Sequence, residues 1–357
     1  MTHQFSSLSP MVAPAGLSTR KDRRHDRLGV LLVNLGTPDG TGYWAVRRYL
    51  SEFLSDRRVI EMHPLLWQPL LQAVILTRRP RKTGAAYRAI WRDGADGSPL
   101  RHYTRLQAET LQTDLAGDGD ITVDWAMRYG SPSIAERLHA LKDQGCGRIV
   151  VVPLYPQYSA TTTATVMDAV YRALMRMRWQ PSIRSVASFC DHPLYVQALA
   201  DSIRQQIRRV GRQPDLIVAS FHGLPESYVR AGDPYHEECS RTVSALRAAL
   251  GPSMPGVMMT FQSRFGRAPW LRPYTEETVL RLAGQGIRHI MTITPGFVTD
   301  CVETLEEIAI GAREAFLEAG GERFDHVPCL NDSRAGTDLL ATLARQELAG
   351  WVGGAAG

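Results

Sequence analysis

The sequence predicts an α/β protein built as two Rossmann-like, doubly wound parallel-sheet halves with a cleft between them. Three observations predict it. Apolar runs of strand length recur along the chain and stop at Gly, Pro or polar turns. Helical periodicities lie between them. The order of strand, helix, strand and exposed polar motif occurs once before about residue 180 and again after it. Strands and helices alternating at this spacing form βαβ units, and a run apolar on both faces suits a parallel strand covered by helices.

The first strand is Leu28-Gly29-Val30-Leu31-Leu32-Val33-Asn34-Leu35-Gly36, stopped by a Gly-Thr-Pro turn. Pro64 to Leu76 then breaks the alternation. It is very apolar, and Arg78-Arg79-Pro80-Arg81-Lys82 follows at once. It is shorter than the roughly 20 apolar residues a membrane span needs. It reads either as a buried helix with a solvated basic end or as an apolar patch that rests on anionic lipid or rims a pocket. Strand runs follow at Thr122 to Met127 and Arg148 to Leu154. Between them, Pro132 to Gln144 sets Ile134, Leu138 and Leu141 on one helical face. The later strand runs are Ile183 to Phe189, Leu216 to Phe221, Gly256 to Phe261 and Arg288 to Thr294. Tyr195 to Val210 carries Leu199, Ile203 and Ile207 at helical spacing, and Ala335 to Leu348 is a last helical pattern. The expected division is a disordered basic tail over 1–27, a first half over 28–180 with an apolar lip at 64–82, a second half over 181–324, and a C-terminal helix over 325–350 packing back on the first half.

Of 357 residues, 44% are hydrophobic and 22% charged, which suffices for a large core and two domains. The net charge of +5 is too weak to argue for nucleic acid, and no strip of interleaved aromatic and basic residues supports it. An acidic ligand or an anionic membrane surface fits that charge equally well. Cys146, Cys190, Cys239, Cys301 and Cys329 are widely spaced and form no C-x-x-C pair, so neither a disulfide framework nor structural zinc is expected. The first 27 residues lack the apolar core of a secretory signal. A cytoplasmic location is expected, with 64–82 as a peripheral contact on the cytoplasmic face of the inner membrane.

Candidate chemistry sits where strands end. His222 closes Leu216-Ile217-Val218-Ala219-Ser220-Phe221 and precedes Gly223-Leu224-Pro225. A histidine there can take up a proton or bind a divalent metal, or it is a structural imidazole bonded to a backbone carbonyl. Asp300-Cys301-Val302-Glu303-Thr304-Leu305-Glu306-Glu307 follows the strand run before it. Asp300 and Glu303 read as a capping box, but Glu306 and Glu307 are left over by that reading. Glu303 and Glu307 share a face of an α-helix, and a row of carboxylates can pass protons or bind a cation. Tyr155-Pro156-Gln157-Tyr158-Ser159-Ala160-Thr161-Thr162-Thr163 offers hydroxyls at a strand-to-helix turn, for an anion or for capping. Arg128 and Tyr129 end a strand, where the guanidinium is either solvated or paired with a carboxylate ligand. Trp270 is a core plug or a flat wall for a planar ligand. There is no H-E-x-x-H, G-x-x-x-x-G-K-[ST], G-x-S-x-G or G-x-G-x-x-G.

Taken together, Asn34-Leu35-Gly36-Thr37-Pro38, Tyr155-Pro156-Gln157-Tyr158-Ser159, Ser220-Phe221-His222-Gly223-Leu224-Pro225, Gly232-Asp233-Pro234-Tyr235, Gln262-Ser263-Arg264-Phe265-Gly266, Pro269-Trp270-Leu271 and Asp300-Cys301-Val302-Glu303-Thr304 resemble the ferrochelatase family. These enzymes insert ferrous iron into protoporphyrin IX at the end of haem synthesis. The resemblance runs from about Gly29 to about Leu348 and implies the chelatase-like fold of two halves around a porphyrin cleft. It implies that His222 is the active-site histidine and that Glu303, with Glu307 further along, handles metal and protons, so that His222 and Glu303 meet the Fe2+. It places Arg79, Tyr87, Ser98, Arg128 and Tyr129 near the porphyrin and its propionates, Trp270 on the pocket wall, and the segment from Pro64 at the pocket lip.

Two positions depart from the family pattern. Ala160 stands where members with an iron–sulfur cluster have an internal cysteine, and the chain ends Trp351-Val352-Gly353-Gly354-Ala355-Ala356-Gly357 without one. No cluster and no other tightly bound cofactor is therefore expected, with Fe2+ as substrate. Cys301 stands where animal members have a second histidine. The alternatives are iron insertion into coproporphyrin, another tetrapyrrole chelatase, or a carrier of haem or iron without a reaction.

Overall fold

The computed structural model describes residues 26–94, 96–266 and 268–352. The tail expected over 1–27 lies outside these residues except for its last two, and Arg27 already opens the first strand. Strands β1 (Arg27–Gly36), β2 (Ile121–Tyr129), β3 (Cys146–Pro153) and β4 (Ser182–Ser185) form one parallel sheet in the order β2-β1-β3-β4. Strands β5 (Leu216–His222), β6 (Val257–Gln262), β7 (His289–Ile293) and β8 (Arg323–His326) form a second in the order β6-β5-β7-β8. The two orders are the same. In each sheet the founding strand lies between its two successors: Val30 is in register with Val123 and Val150, and Val218 with Met258 and Thr292.

The unbroken apolar runs are explained by cover on both faces. Along β1, Val30 and Leu32 join a cluster with Leu111 and Leu339, while Leu31 and Val33 join another with Leu138 and Val170. Successive side chains point to opposite faces, so a strand buried on both has no polar alternation. The first of these clusters also holds Ile217 and Phe221 of β5, so the two halves share one core.

Three expectations are corrected. Ser182–Ser185 pairs with β3 through Arg148, Ile149, Val150 and Val151, so the first sheet runs past the division placed at residue 180. That strand also ends at Ser185 rather than Phe189, because Phe189 N already turns to the carbonyl of Pro156 at 3.0 Å. The strand β8 was not expected, and it straddles the division placed between 324 and 325. It is a four-residue edge strand with Arg323, Asp325 and His326 in it, and edge strands carry polar residues that leave no apolar run to read. The C-terminal helix itself is Arg334–Leu348, started by Ser333 accepting from Gly336 N at 3.3 Å. It packs on the helices Pro99–Asp114 and Pro193–Val210 and on β3.

The lip is neither a buried helix nor a plain one. It consists of helix Pro64–Leu70, a π-helical turn Leu71–Ile75 and helix Leu76–Ile90. Trp67, Leu71 and Leu76 are buried, and Trp67 Nε1 donates to the carbonyl of Leu54 at 2.6 Å. Leu65 and Leu66 are 79% and 71% exposed, with Leu70 and Val74 also exposed beside them. Among the described residues no helix is long and apolar enough to cross a membrane.

Candidate active site

In a doubly wound sheet the crevice opens beyond the carboxyl ends of the strands where the order reverses. Both halves use that place, and both crevices face one cleft. It is lined by Asn34 to Thr37 at the end of β1, by Leu154, Tyr155, Gln157, Ser159, Thr161 and Thr162 after β3, by His222 to Pro225 at the end of β5, and by Gly296 to Thr299 and Cys301 to Glu303 after β7. Phe53, Val59, Tyr87, Ser98, Leu100, Tyr228, Tyr235 and Trp270 complete the walls. About 1100 Å³ of atom-free space lies within it, counted out to its open mouth.

A buried polar seam sets the two sets of loops against each other. Asn34 Nδ2 donates to Thr104 Oγ1 at 3.0 Å and to Thr299 Oγ1 at 3.3 Å. Thr299 Oγ1 donates to Gln107 Oε1 at 3.4 Å, and Gln107 Nε2 donates to the carbonyl of Asn331 at 2.7 Å. Such a network is costly if half made and specific when complete, so it fixes the loop after β1 against the loop after β7.

His222 is the last residue of β5. Its Nδ1 lies 2.7 Å from the carbonyl of Gly223, which can only accept. The proton of the neutral ring therefore sits on Nδ1, and Nε2 presents a lone pair. The backbone bond that a structural histidine would make is present, and it orients the ring in the cleft lining. Gly223 is required at this turn: a Cβ there would stand 2.6 Å from the Gln262 carbonyl oxygen and 3.0 Å from the Trp270 ring. Trp270 is bridged to Pro225, and its Nε1 is buried without a hydrogen-bond partner among the described residues. It is a wall of the cleft.

Glu303 stands on the short helix Val302–Thr304, and the expected capping box is absent. The cap is Cys301, whose N donates to Thr304 Oγ1 at 3.0 Å rather than to the Glu303 carboxylate. Asp300 turns the other way: its carboxylate accepts from Thr304 Oγ1 at 2.8 Å and Asn331 Nδ2 at 2.6 Å. Glu303 is thus not the cap and lines the cleft. Burial, reinforced by the charge of Glu303, pushes the Cys301 thiol and the Tyr87 phenol well up. Burial thus disfavours the thiolate form of Cys301, the form that binds metal.

Glu307 is placed differently from the expectation. The segment Leu305–Ala312 is π-helical, so residues four apart no longer stack as on an α-helix. Glu307 is not part of the cleft lining. Its carboxylate accepts from Ser263 N at 2.7 Å, from Gln262 Nε2 at 3.2 Å and from Ser263 Oγ, and so pins the loop after β6, where Ser263 has φ +64°. Burial and the charge of Glu307 raise the Glu306 carboxyl.

Of the other expected residues, Tyr87, Ser98 and Trp270 line the cleft, whereas Arg128, Tyr129 and Arg79 do not. The Arg128 guanidinium is buried against Asp56, and Tyr129 Oη donates to the same carboxylate at 3.0 Å. The chain's own carboxylate occupies the place expected for a ligand's. Arg79 lies 4.5 Å over the Phe265 ring, and burial lowers its pKa. The hydroxyl-rich turn is partly filled from within: Asp233 accepts from Ser159 Oγ at 2.9 Å and from Ala160 N at 2.7 Å, while Thr161 and Thr162 stay in the cleft lining. Missed by the sequence reading were Phe53, Val59 and Tyr228, which carry no strand-end or motif signal. Among the described residues no group of three or more His, Cys, Asp or Glu is placed to hold a metal ion.

The comparisons with known proteins agree with this architecture. The ferrochelatase family model matches residues 27–348. Ferrochelatase of Agrobacterium fabrum is 53% identical over 326 residues, covering 91% of this chain and 95% of that one. Ferrochelatase of Gluconobacter oxydans is 56% identical over 328 residues, covering 92% and 95%. SirB from Bacillus subtilis with Fe3+ superposes with a TM-score of 0.52 at 12% identity, covering 90% of this chain and 96% of that one. The sirohydrochlorin chelatase SirB from Bacillus subtilis subspecies spizizenii in complex with cobalt gives 0.51 at 10% identity, covering 90% and 95%. At these identities the two structures show a shared two-half fold and nothing finer. The family match and the curated relatives reach further, and by them the chain belongs to the ferrochelatase family.

Proposed function

We propose that the cleft holds protoporphyrin IX between the two halves and that the chain inserts Fe2+ into it with loss of two pyrrole protons. Membership of the ferrochelatase family makes the chain a lyase of haem synthesis. The observation that carries the residue assignment is the lining itself. His222 and Glu303 bring an acid–base pair into a wall otherwise made of apolar, aromatic, hydroxyl and amide groups and a neutral thiol. Free-base porphyrin is planar and holds two pyrrole protons, so the ring must bend and lose them before metal enters. Burying the apolar faces of the macrocycle against Leu35, Trp270 and Val298 can offset the bending, a use of binding energy for distortion. His222 Nε2 is the base available to a pyrrole N–H. Glu303 is the anionic oxygen that can accept protons or guide the cation. Two N/O donors make a weak site, which suits a metal that must be handed on.

The same lining supports two carboxylates on the ring over four. Among the described residues no Arg or Lys lines the cleft. An ionised carboxylate directed into such an interior costs far more than one left in water at the mouth. A ring with its carboxylates along one edge can keep them outside, and coproporphyrin, with carboxylates around the ring, cannot. The absence of an iron–sulfur cluster belongs to the same reading. It is supported by burial of Cys146, Cys190, Cys239 and Cys301, and by burial pushing all five thiols upward. The exposed Leu65, Leu66, Leu70 and Val74 beside Arg78, Arg81 and Lys82 support a peripheral contact with an anionic membrane surface from the cytoplasmic side.

Anaerobic incubation with Fe2+ and either protoporphyrin IX or coproporphyrin III tests the proposal. Fluorescence quenching with haem absorbance is expected for protoporphyrin at a much higher kcat/KM. Faster metallation of coproporphyrin would overturn the substrate assignment, and tight binding without metallation would make the chain a carrier.

A further inference from the structure

We propose that Tyr228 is a positioning residue that fastens the two halves across the cleft, and that release of this fastening admits and frees the porphyrin. The inference rests on the function proposed above. Tyr228 stands on the short helix Glu226–Arg230, just past the turn that carries His222. Its ring lines the cleft. Its hydroxyl donates to the carbonyl of Val59 at 3.1 Å and accepts from Glu61 N at 3.2 Å. Val59 is itself a cleft wall, and Glu61 lies just before the lip helix that starts at Pro64. One hydroxyl of the second half thus bonds the backbone of the first half at the root of the lip.

Each partner is firmly held on its own side. The Val59 segment is tied back by Asp56, which is paired with Arg128 and bonded by Tyr129, and by Arg58 Nε donating to Asp168 at 2.6 Å. The Tyr228 segment is tied by Glu226 N to the carbonyl of Pro269 at 3.0 Å, by Asp233 N to the carbonyl of Tyr228 at 3.1 Å, and by the Pro225–Trp270 bridge. The anchors include a buried ion pair and several backbone bonds, while at the root of the lip the two walls are joined by one half-buried neutral hydroxyl; the neighbouring ties between the halves, Asp233 to the turn after β3 and Arg79 over the Phe265 ring, lie to either side of it. A mouth built this way parts at the link before either wall deforms. Burial raises the phenol pKa, so the hydroxyl keeps the proton it donates. The partners of the hydroxyl are backbone groups, so this bond depends on the side chain at 228 alone. Because Tyr228 follows the His222 turn so closely, the same bond also ties the lip root to the segment that carries the imidazole.

Tyr228→Phe keeps the ring and removes the hydroxyl. Hydrogen exchange on the unliganded full chain should show the Glu61 amide exchanging about tenfold faster, with β1 and β5 amides unchanged as the control for folding. Stopped-flow dissociation of protoporphyrin IX into detergent micelles should be about five- to tenfold faster, and KM for the porphyrin should rise by more than kcat changes. A dissociation rate equal to that of the wild type overturns the proposal, whether or not the amide accelerates. An unchanged Glu61 amide overturns it as well, since the bond would then not be made in solution. Failure of the wild-type chain to bind protoporphyrin IX would instead sink the function proposed above, and the unliganded exchange arm keeps the two failures apart.

Discussion

The two halves place their loops alike and equip them differently. Beyond β1 and β3 the first half presents Asn34, Thr37, Tyr155, Gln157, Thr161 and Thr162, all neutral groups. Beyond β5 and β7 the second half presents His222 and Glu303 from the corresponding strand ends. Sheet order is the same in both, so the scaffold decides where a ligand meets the protein, and the loop residues decide what happens to it. On the function proposed above, the first half receives the macrocycle and the second reacts with it. The charged residues of the first half that pattern alone would recruit are spent on structure, as Arg128 is on Asp56.

The largest expected effects break the reactive side. His222→Ala should lower metallation by about 10³-fold or more, as loss of a positioned base does, while porphyrin fluorescence titration shows binding within a few-fold of wild type. Comparable losses of binding and turnover would mean that His222 belongs to the receiving side and that the division is wrong. Glu303→Gln should lower kcat by about 10²-fold with Tm unchanged within a degree or so, because Thr304 and Cys301 make the cap and Glu303 does not. Calorimetry beside the anaerobic assay checks both. A fall of several degrees would restore Glu303 to a structural role.

These expectations also show what was legible beforehand. His222 and Glu303 could be placed at the cleft because each follows an apolar run, and an apolar run predicts a strand end whatever the details of packing. The central strands were legible for the same reason: Leu31 and Val30 are buried on opposite faces, so no polar residue interrupts them. Ser182–Ser185 and Arg323–His326 lie at the sheet edges, where half the surface is left to water and the pattern fades. The capping box misled because Asp300 does cap-like work, but toward Thr304 and Asn331. Glu307 misled because the spacing rule assumed α-helical pitch, and Leu305–Ala312 is π-helical. Arg128 and Ser159 misled because a sequence shows a cation or a hydroxyl turn without showing that Asp56 or Asp233 already fills it. Tyr228 had no signal at all, since the backbone it bonds lies on a loop of the other half.

A smaller effect should come from the seam between reactive base and wall. In Gly223→Ala the new methyl would meet the Gln262 carbonyl oxygen at 2.6 Å and the Trp270 ring at 3.0 Å. Overpacking of this kind costs about 1–3 kcal/mol, to be read from chemical denaturation. Because the ring carbon can yield but the carbonyl is strand backbone, Trp270 should move, and its fluorescence maximum should shift. Unchanged stability and emission would mean that the turn carrying His222 is loose, and that the base is aimed by the ligand rather than by the fold.

The smallest effect tests the receiving side on its own terms. Tyr155 Oη is hidden from water and has no hydrogen-bond partner among the described residues, and burial pushes its phenol pKa well above the ordinary value. An unpaired buried hydroxyl costs about 1–3 kcal/mol, so Tyr155→Phe should leave the unliganded chain as stable as before or more stable by up to about 1 kcal/mol. If the hydroxyl is kept for the macrocycle, the same variant should bind porphyrin about three- to tenfold more weakly, by fluorescence titration. Stability and affinity then move in opposite directions, which a merely structural tyrosine would not produce. A drop in stability with affinity unchanged would mean that an ordered water or a neighbour such as Arg128 completes the hydroxyl in solution. In that case the first half is finished before ligand arrives, and its neutrality reflects packing alone rather than a surface held ready for a porphyrin.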